Sequence, residues 1–204
     1  MVPRLYPILV PSRIGGGSIE EVGAFARELV ASGATLLQLR SKGSSSAQVL
    51  RMARELRRIL PDDIKLIMND RADLALAAQF QGVHLGQDDL PVEAARRIVG
   101  RERWIGISTH NPDQVEAAEQ TSADYIAIGP VFATISKDNP DPVIGLEGVR
   151  QARARTRKPL VAIGGITVKN CRSVMEAGAD SVAVIGELLH DPRNITAQFM
   201  RELR

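Results

Sequence analysis

Leu160-Val161-Ala162-Ile163-Gly164-Gly165-Ile166-Thr167, followed by a helical stretch from Val168 to Ala177 and a second apolar run from Ser181 to Ile185, decides the fold. Four consecutive apolar residues without polar alternation read as a parallel strand buried on both faces. The glycine pair ends that strand. Cys171, Val174, Met175 and Gly178 then follow at helical spacing, and Ser181–Ile185 returns as the next strand. A strand, a crossover helix and a second strand make the unit of a parallel sheet.

The unit recurs outward along the chain. Strands are expected at Leu5–Val10, Thr35–Arg40, Lys65–Met68, Gly82–Gly86, Trp104–Ser108 and Tyr125–Val131. Helices are expected at Ser18–Ser32, Ser46–Leu60, Ala72–Phe80, Val92–Val99, Leu146–Arg155 and Ile195–Leu203, with another opened by Asn111, Pro112 and Gln114. Ser18 and Glu21 spell a capping box, and Val22, Phe25, Ala26, Leu29 and Val30 form the apolar stripe behind it. Gly33 sits where the helix end favours a left-handed residue, and Pro61 stops the second helix. About eight strand–helix units in 204 residues predict an α/β fold, a single (β/α)8 TIM barrel forming one domain over residues 1–204. An open doubly wound sheet would want fewer strands or a longer chain.

Composition narrows the function. Hydrophobic residues make up 44% of the chain, as in a soluble globular protein, and 26 basic against 24 acidic residues leave a net charge of only +2. The two signs are interspersed, as in Arg51 to Arg58, and aromatics stand at 3%, so nucleic acid is excluded as a partner. Cys171, the only cysteine, forms no intrachain disulfide and reads as a core thiol, which fits a reducing cytoplasm. The start, Met1-Val2-Pro3-Arg4-Leu5, lacks a signal-peptide apolar region, and no run approaches the roughly 18 apolar residues of a membrane span. The oligomeric state is left open.

Active sites of such barrels lie at the C-terminal ends of the strands, and the residues there are polar and charged. Gln38, Arg40 and Lys42 alternate after strand two and suit an anionic group. Asp70 after strand three and Asp89 after strand four are the candidate metal ligands, since Mg²⁺ binds through one or two carboxylates plus substrate phosphates. Helix capping is the competing role for both. Asn69 stands beside the pair, and Ser108 ends strand five as a hydrogen-bond donor rather than a nucleophile. His84, inside strand four, reads as a satisfied barrel histidine or a catalytic base, and His110 and His190 as incidental. The long loop Phe132 to Ile144 carries Thr134, Ser136 and Lys137, groups suited to phosphate oxygens on a lid that is mobile when empty. Gly165 and Gly186, after strands seven and eight, complete the ring as a phosphate monoester site built from backbone N–H groups.

With these residues assembled, the chain resembles the thiamine-phosphate synthase family over nearly its whole length. The resemblance rests on Gln38-Leu39-Arg40-Ser41-Lys42, Asn69-Asp70-Arg71-Ala72-Asp73, Gly82-Val83-His84-Leu85-Gly86-Gln87-Asp88-Asp89 and Gly129-Pro130-Val131-Phe132-Ala133-Thr134-Ile135-Ser136-Lys137, with Gly145-Leu146-Glu147-Gly148 and Ala162-Ile163-Gly164-Gly165-Ile166. It implies a transferase that joins 4-amino-5-hydroxymethyl-2-methylpyrimidine diphosphate to a thiazole phosphate, releasing diphosphate. It further implies that Gln38, Leu39, Arg40, Ser41, Lys42, Asn69, Ser108 and Lys137 bind the pyrimidine diphosphate, that Asp70 and Asp89 hold Mg²⁺, and that Thr134, Ile135, Ser136, Gly165, Ile185 and Gly186 hold the thiazole phosphate. The implied mechanism is dissociative, through a pyrimidine carbocation, with Arg40, Lys42, Ser108 and Lys137 as its catalytic groups and no enzymic nucleophile. Two departures stand out: Val10-Pro11-Ser12-Arg13 lacks the acidic residue usual after strand one, and Gly186 replaces a common serine. A thiazole tautomerase of the same fold and a non-catalytic phosphate-ligand sensor are the alternatives; neither needs the carboxylate pair.

Overall fold

A computed structural model describes residues 2–134 and 141–204. Eight parallel strands close into one barrel in sequence order: β1 (Leu5–Leu9), β2 (Leu36–Leu39), β3 (Lys65–Asn69), β4 (Gly82–Leu85), β5 (Trp104–Thr109), β6 (Tyr125–Ile128), β7 (Leu160–Ile163) and β8 (Ser181–Val184). β8 pairs back onto β1, with Tyr6 beside Ala183. The helices between them are α1 (Ile19–Ala31), α2 (Ser46–Ile59), α3 (Ala72–Ala77), α4 (Val92–Val99), α5 (Pro112–Glu119), α6 (Gly145–Arg155), α7 (Cys171–Glu176) and α8 (Pro192–Glu202). The (β/α)8 barrel expected from the repeat is the fold observed. Among the described residues no helix is long and apolar enough to cross a membrane.

The strands lack polar alternation because both of their faces are buried. Leu5, Leu9, Leu37, Leu39, Leu66, Met68, Val83 and Leu85 pack outward against the helices in one large cluster. Tyr6, Ile8, Leu36, Ile67, Tyr125, Ala127, Val161 and Ala183 fill the barrel interior in a second. Period-two alternation therefore sorts an outer from an inner core rather than core from solvent.

Local signals set most boundaries. The α1 capping box forms as read: Ser18 Oγ accepts from the Glu21 N–H at 3.2 Å, and Glu21 Oε2 accepts from the Ser18 N–H at 3.1 Å. α2 has a second box from Ser45 and Gln48. Gly33 takes φ +106° after α1, as its place predicted. At α5, Asn111 caps Gln114, but the Gln114 side chain reaches one residue further back, to the His110 N–H at 2.7 Å.

Most boundaries lie within one residue of the sequence reading; α3 ends at Ala77 instead of Phe80, and three others shift as far. β6 ends at Ile128 instead of Val131, since Pro130 has no N–H for the ladder. α7 starts at Cys171 instead of Val168, after a turn in which Asn170 Oδ1 accepts from the Thr167 N–H. α8 starts at Pro192, ahead of Ile195, because Asp191 accepts from the Asn194 N–H and Pro192 occupies the first turn.

Candidate active site

The strand C-terminal ends gather the acidic and basic residues expected there. β3 ends at Asn69, and Asp70 then takes φ +62°, a left-handed conformation uncommon for any residue with a side chain. The Asp70 N–H donates to the His84 carbonyl at 2.8 Å, which ties the turn to β4. Asp70 does not cap α3: Arg71 holds that position, without a side-chain cap. Nor does Asp89 cap α4, which begins after Pro91. Asp89 folds back instead, its Oδ2 accepting from the Gly86 N–H at 2.7 Å. Both carboxylates are thus released from the capping role and lie within hydrogen-bonding reach of each other.

That proximity has an electrostatic consequence. Burial raises the Asp70 carboxyl to about 6, and the neighbouring Asp89 adds to the effect, while Lys42 and Arg40 oppose it. Lys42 Nζ stands 3.6 Å from Asp70 Oδ2, but the lysine side chain is 62% exposed, so the pair only partly offsets the repulsion. Among the described residues no group of three or more His, Cys, Asp or Glu forms a metal cage. Two crowded carboxylates, the Asp70 side chain 23% exposed, fit a hard divalent cation that completes its shell with substrate oxygens.

Beneath this rim a line of polar groups crosses the otherwise apolar interior. Gln38, 2% exposed, donates from Nε2 to Tyr6 Oη at 2.9 Å. Tyr6 Oη meets Tyr125 Oη at 2.7 Å, Tyr125 Oη meets His84 Nδ1 at 3.0 Å, and His84 Nε2 meets Ser108 Oγ at 2.8 Å. Five side chains from β1, β2, β4, β5 and β6 thus form one chain that surfaces at Ser108. Gly106 makes room for it, since a Cβ there would lie 2.0 Å from Tyr125 Cζ. Burial pushes the His84 imidazole down to about 4 and holds both phenols well above their ordinary range, so the chain is uncharged.

The other expected contacts distribute as follows. Leu39 turns its side chain into the outer core, so only its backbone reaches the rim. Ser41 Oγ bonds to Ser44 Oγ at 2.9 Å on the surface. Gly164 and Gly165 have positive φ, and a Cβ on Gly165 would lie 2.5 Å from the Ala133 carbonyl oxygen, so this loop passes directly under the start of the loop after β6. The ends of that long loop are pinned together, the Ile144 N–H donating to Pro130 O and the Gly145 N–H to Val131 O. Thr134 is partly buried at its start, whereas Ile135, Ser136 and Lys137, and with them the lid, lie outside the described residues. Ile185 and Gly186 close the ring, Gly186 leading into a 3-10 turn at Glu187–Leu189.

Tyr6, Tyr125 and Gly106 escaped the sequence reading. The available signal was that the chain has two tyrosines, each at an inward position of a strand, where a hydroxyl demands a partner. His110, read as incidental, bonds through Nδ1 to the Gly129 carbonyl at 2.7 Å and lies 3.4 Å from Asp141 Oδ2. It therefore touches both shoulders of the long loop.

Residues 5–188 match the family model described as thiamine monophosphate synthase. A thiamine-phosphate synthase of Koribacter versatilis is 56% identical over 203 residues, covering 99% of this chain and 96% of the relative. One from Methanoregula boonei is 44% identical over 199 residues, covering 97% and 90%. The solved thiamine phosphate pyrophosphorylase of Pyrococcus furiosus superposes with a TM-score of 0.86 at 33% identity, covering 98% of this chain and 95% of that one. A tryptophan synthase structure from the same organism, 14% identical, shares the fold alone.

Proposed function

The chain belongs to the thiamine monophosphate synthase family, and from that premise we propose that it condenses 4-amino-5-hydroxymethyl-2-methylpyrimidine diphosphate with a thiazole phosphate, using Mg²⁺, to give thiamine phosphate and diphosphate. It is a transferase of thiamine biosynthesis. The observation that carries the proposal is the Asp70–Asp89 pair, crowded and only partly neutralised by Lys42 and Arg40. Such a pair favours this reading over a thiazole tautomerase or a phosphate sensor, which have no diphosphate to expel.

In this reading Asp70 and Asp89 hold the cation, which when bound supplies positive charge to the diphosphate oxygens. Arg40 and Lys42, and Lys137 from the long loop, bind the leaving diphosphate and stabilise the charge that accumulates as its bond to carbon stretches. Asn69, Ser108, Gln38, Ser41 and the Leu39 backbone orient the pyrimidine diphosphate. Thr134, Ile135 and Ser136, with the backbones of Gly165, Ile185 and Gly186, hold the thiazole phosphate so that its ring nitrogen faces the carbocation. No side chain attacks, so the uncharged Ser108–His84 pair acts by hydrogen bonding. A reducing cytoplasm is the compartment that suits the unpaired thiol of Cys171.

Purified protein given both substrates and Mg²⁺ should form thiamine phosphate and diphosphate in equal amounts, and should stop when the metal is chelated. Product formation that is indifferent to chelation would remove the metal from the reading. No product at all would remove the synthase reading itself.

A further inference from the structure

The chain from Gln38 to Ser108 has a direction, because each hydroxyl owns one hydrogen. An amide nitrogen only donates, so Tyr6 Oη accepts from Gln38; Tyr125 Oη is then the partner in reach for the Tyr6 hydrogen, which would otherwise be buried unbonded. Tyr125 in turn has its hydrogen left for His84 Nδ1, which must then be the bare ring nitrogen. The imidazole proton lies on Nε2 and is donated to Ser108 Oγ. The Ser108 hydrogen has no place within the chain, and it points from the partly buried end of β5 into the site. An imidazolium would set two hydrogens against each other between Nδ1 and Tyr125. With the Gln38 amide turned over, every hydrogen would reverse and Nδ1 would carry the proton.

We propose that His84 is a positioning residue: held as the Nε2–H tautomer by Gln38, Tyr6 and Tyr125, it fixes the Ser108 hydroxyl as a donor towards the pyrimidine diphosphate. The role for the ligand rests on the function proposed above, whereas the tautomer rests on the hydrogen-bond chain alone. An oxyanion needs donors, and a serine free to rotate offers a lone pair as readily as a proton. The His84 Nε2–H occupies one Ser108 lone pair from below and leaves the hydroxyl hydrogen unspent, which biases the group towards donating. The supporting geometry is rigid: the His84 and Tyr125 rings stack at 5.5 Å between centroids, and Gly106 provides the space that Tyr125 occupies.

Nitrogen-15 NMR of the histidine-labelled, ligand-free protein tests the tautomer, the His84 signals being identified by their loss in His84→Gln. Protonated Nε2 and bare Nδ1 at neutral pH are expected; protonated Nδ1, or both nitrogens protonated, overturns the proposal. Kinetics test the route to the ligand. Tyr125→Phe keeps the ring and removes the hydroxyl, and should raise the KM for pyrimidine diphosphate about tenfold or more while leaving that for thiazole phosphate unchanged. In a Ser108→Ala background the same change should cost nothing further, because the effect passes through Ser108. Independent, multiplying losses would refute that route. A wild-type protein that makes no thiamine phosphate would sink the synthase reading, with the tautomer still deciding the direction of the chain.

Discussion

Asp70→Asn should make the metal-free protein more stable and the enzyme far slower. Ionised Asp70 is held against Asp89 in a partly desolvated turn, and its carboxyl is raised from 3.8 to about 6. That displacement corresponds to at most roughly 3 kcal/mol. Solvent at a side chain 23% exposed leaves about 1–2 kcal/mol as the expected gain from an uncharged isostere. Asparagine is the informative substitution because it tolerates the φ of +62° at this position, where alanine would add backbone strain of its own. The sign follows from linkage: a carboxyl whose folded value lies above its unfolded value is easiest to accommodate protonated. The penalty is absent below about pH 4, grows through about pH 6 and is complete above it.

Denaturant unfolding of both proteins in chelator at pH 8 and pH 4 is the assay. The variant should gain 1–2 kcal/mol at pH 8, or roughly 2–8 °C in Tm for a chain of this size, and the difference should vanish at pH 4. Turnover at saturating Mg²⁺ should fall by on the order of a hundredfold or more. Equal stability at pH 8 would refute the electrostatic crowding, and near-normal turnover would refute the metal assignment.

Two further outcomes follow from the geometry and a third from the sequence of the long loop. Gly165→Val places a branched side chain against Ala133 O and Phe132 at a positive φ, so calorimetry should show weaker thiazole phosphate binding and unchanged pyrimidine diphosphate binding; equal losses would mean that the two anions are not held separately. Gly106→Ala should destabilise the fold by about 1–3 kcal/mol or more by displacing Tyr125, measured by urea unfolding, and wild-type stability would show that the interior yields more easily than these contacts imply. Lys137→Ala should slow coupling and divert pyrimidine diphosphate to hydrolysis, and hydrogen exchange over residues 132–144 should fall when diphosphate and Mg²⁺ bind; unchanged exchange would make the loop a pre-formed wall of the pocket.

What the sequence disclosed was what is local or periodic. The Ser18–Glu21 box, Gly33 and the unbroken apolar runs each act within a few residues, and eight repeats leave little choice but a closed barrel. The Asp70–Asp89 pair was legible for a related reason: consecutive strands of a barrel are neighbours, so residues just beyond β3 and β4 must meet. The tyrosine–histidine chain was not, because Tyr6, Gln38, His84 and Tyr125 come together only once shear and side-chain length are fixed across the interior. The start of α8 was missed although Asp191-Pro192 is a local signal, since the apolar stripe there begins later than the cap.

Departures from local preference are most revealing where no neighbouring element accounts for them. Among the described residues, two other than glycine have positive φ, Gln79 and Asp70. Gln79 follows the end of α3, where a left-handed residue is an ordinary way to finish a helix. Asp70 follows a strand, and nothing in strand termination asks for that conformation. What it achieves is specific: the backbone N–H stays bonded to the His84 carbonyl while the carboxylate is turned towards Asp89 and Lys42. The same β4 residue therefore supports both halves of the site, its backbone holding the charged rim and its imidazole linking the neutral chain below to Ser108. A strained turn and a repelling carboxylate pair persist only where the surroundings over-determine them. Here the interior supplies that rigidity, and a cation with its anionic substrate would relieve the repulsion.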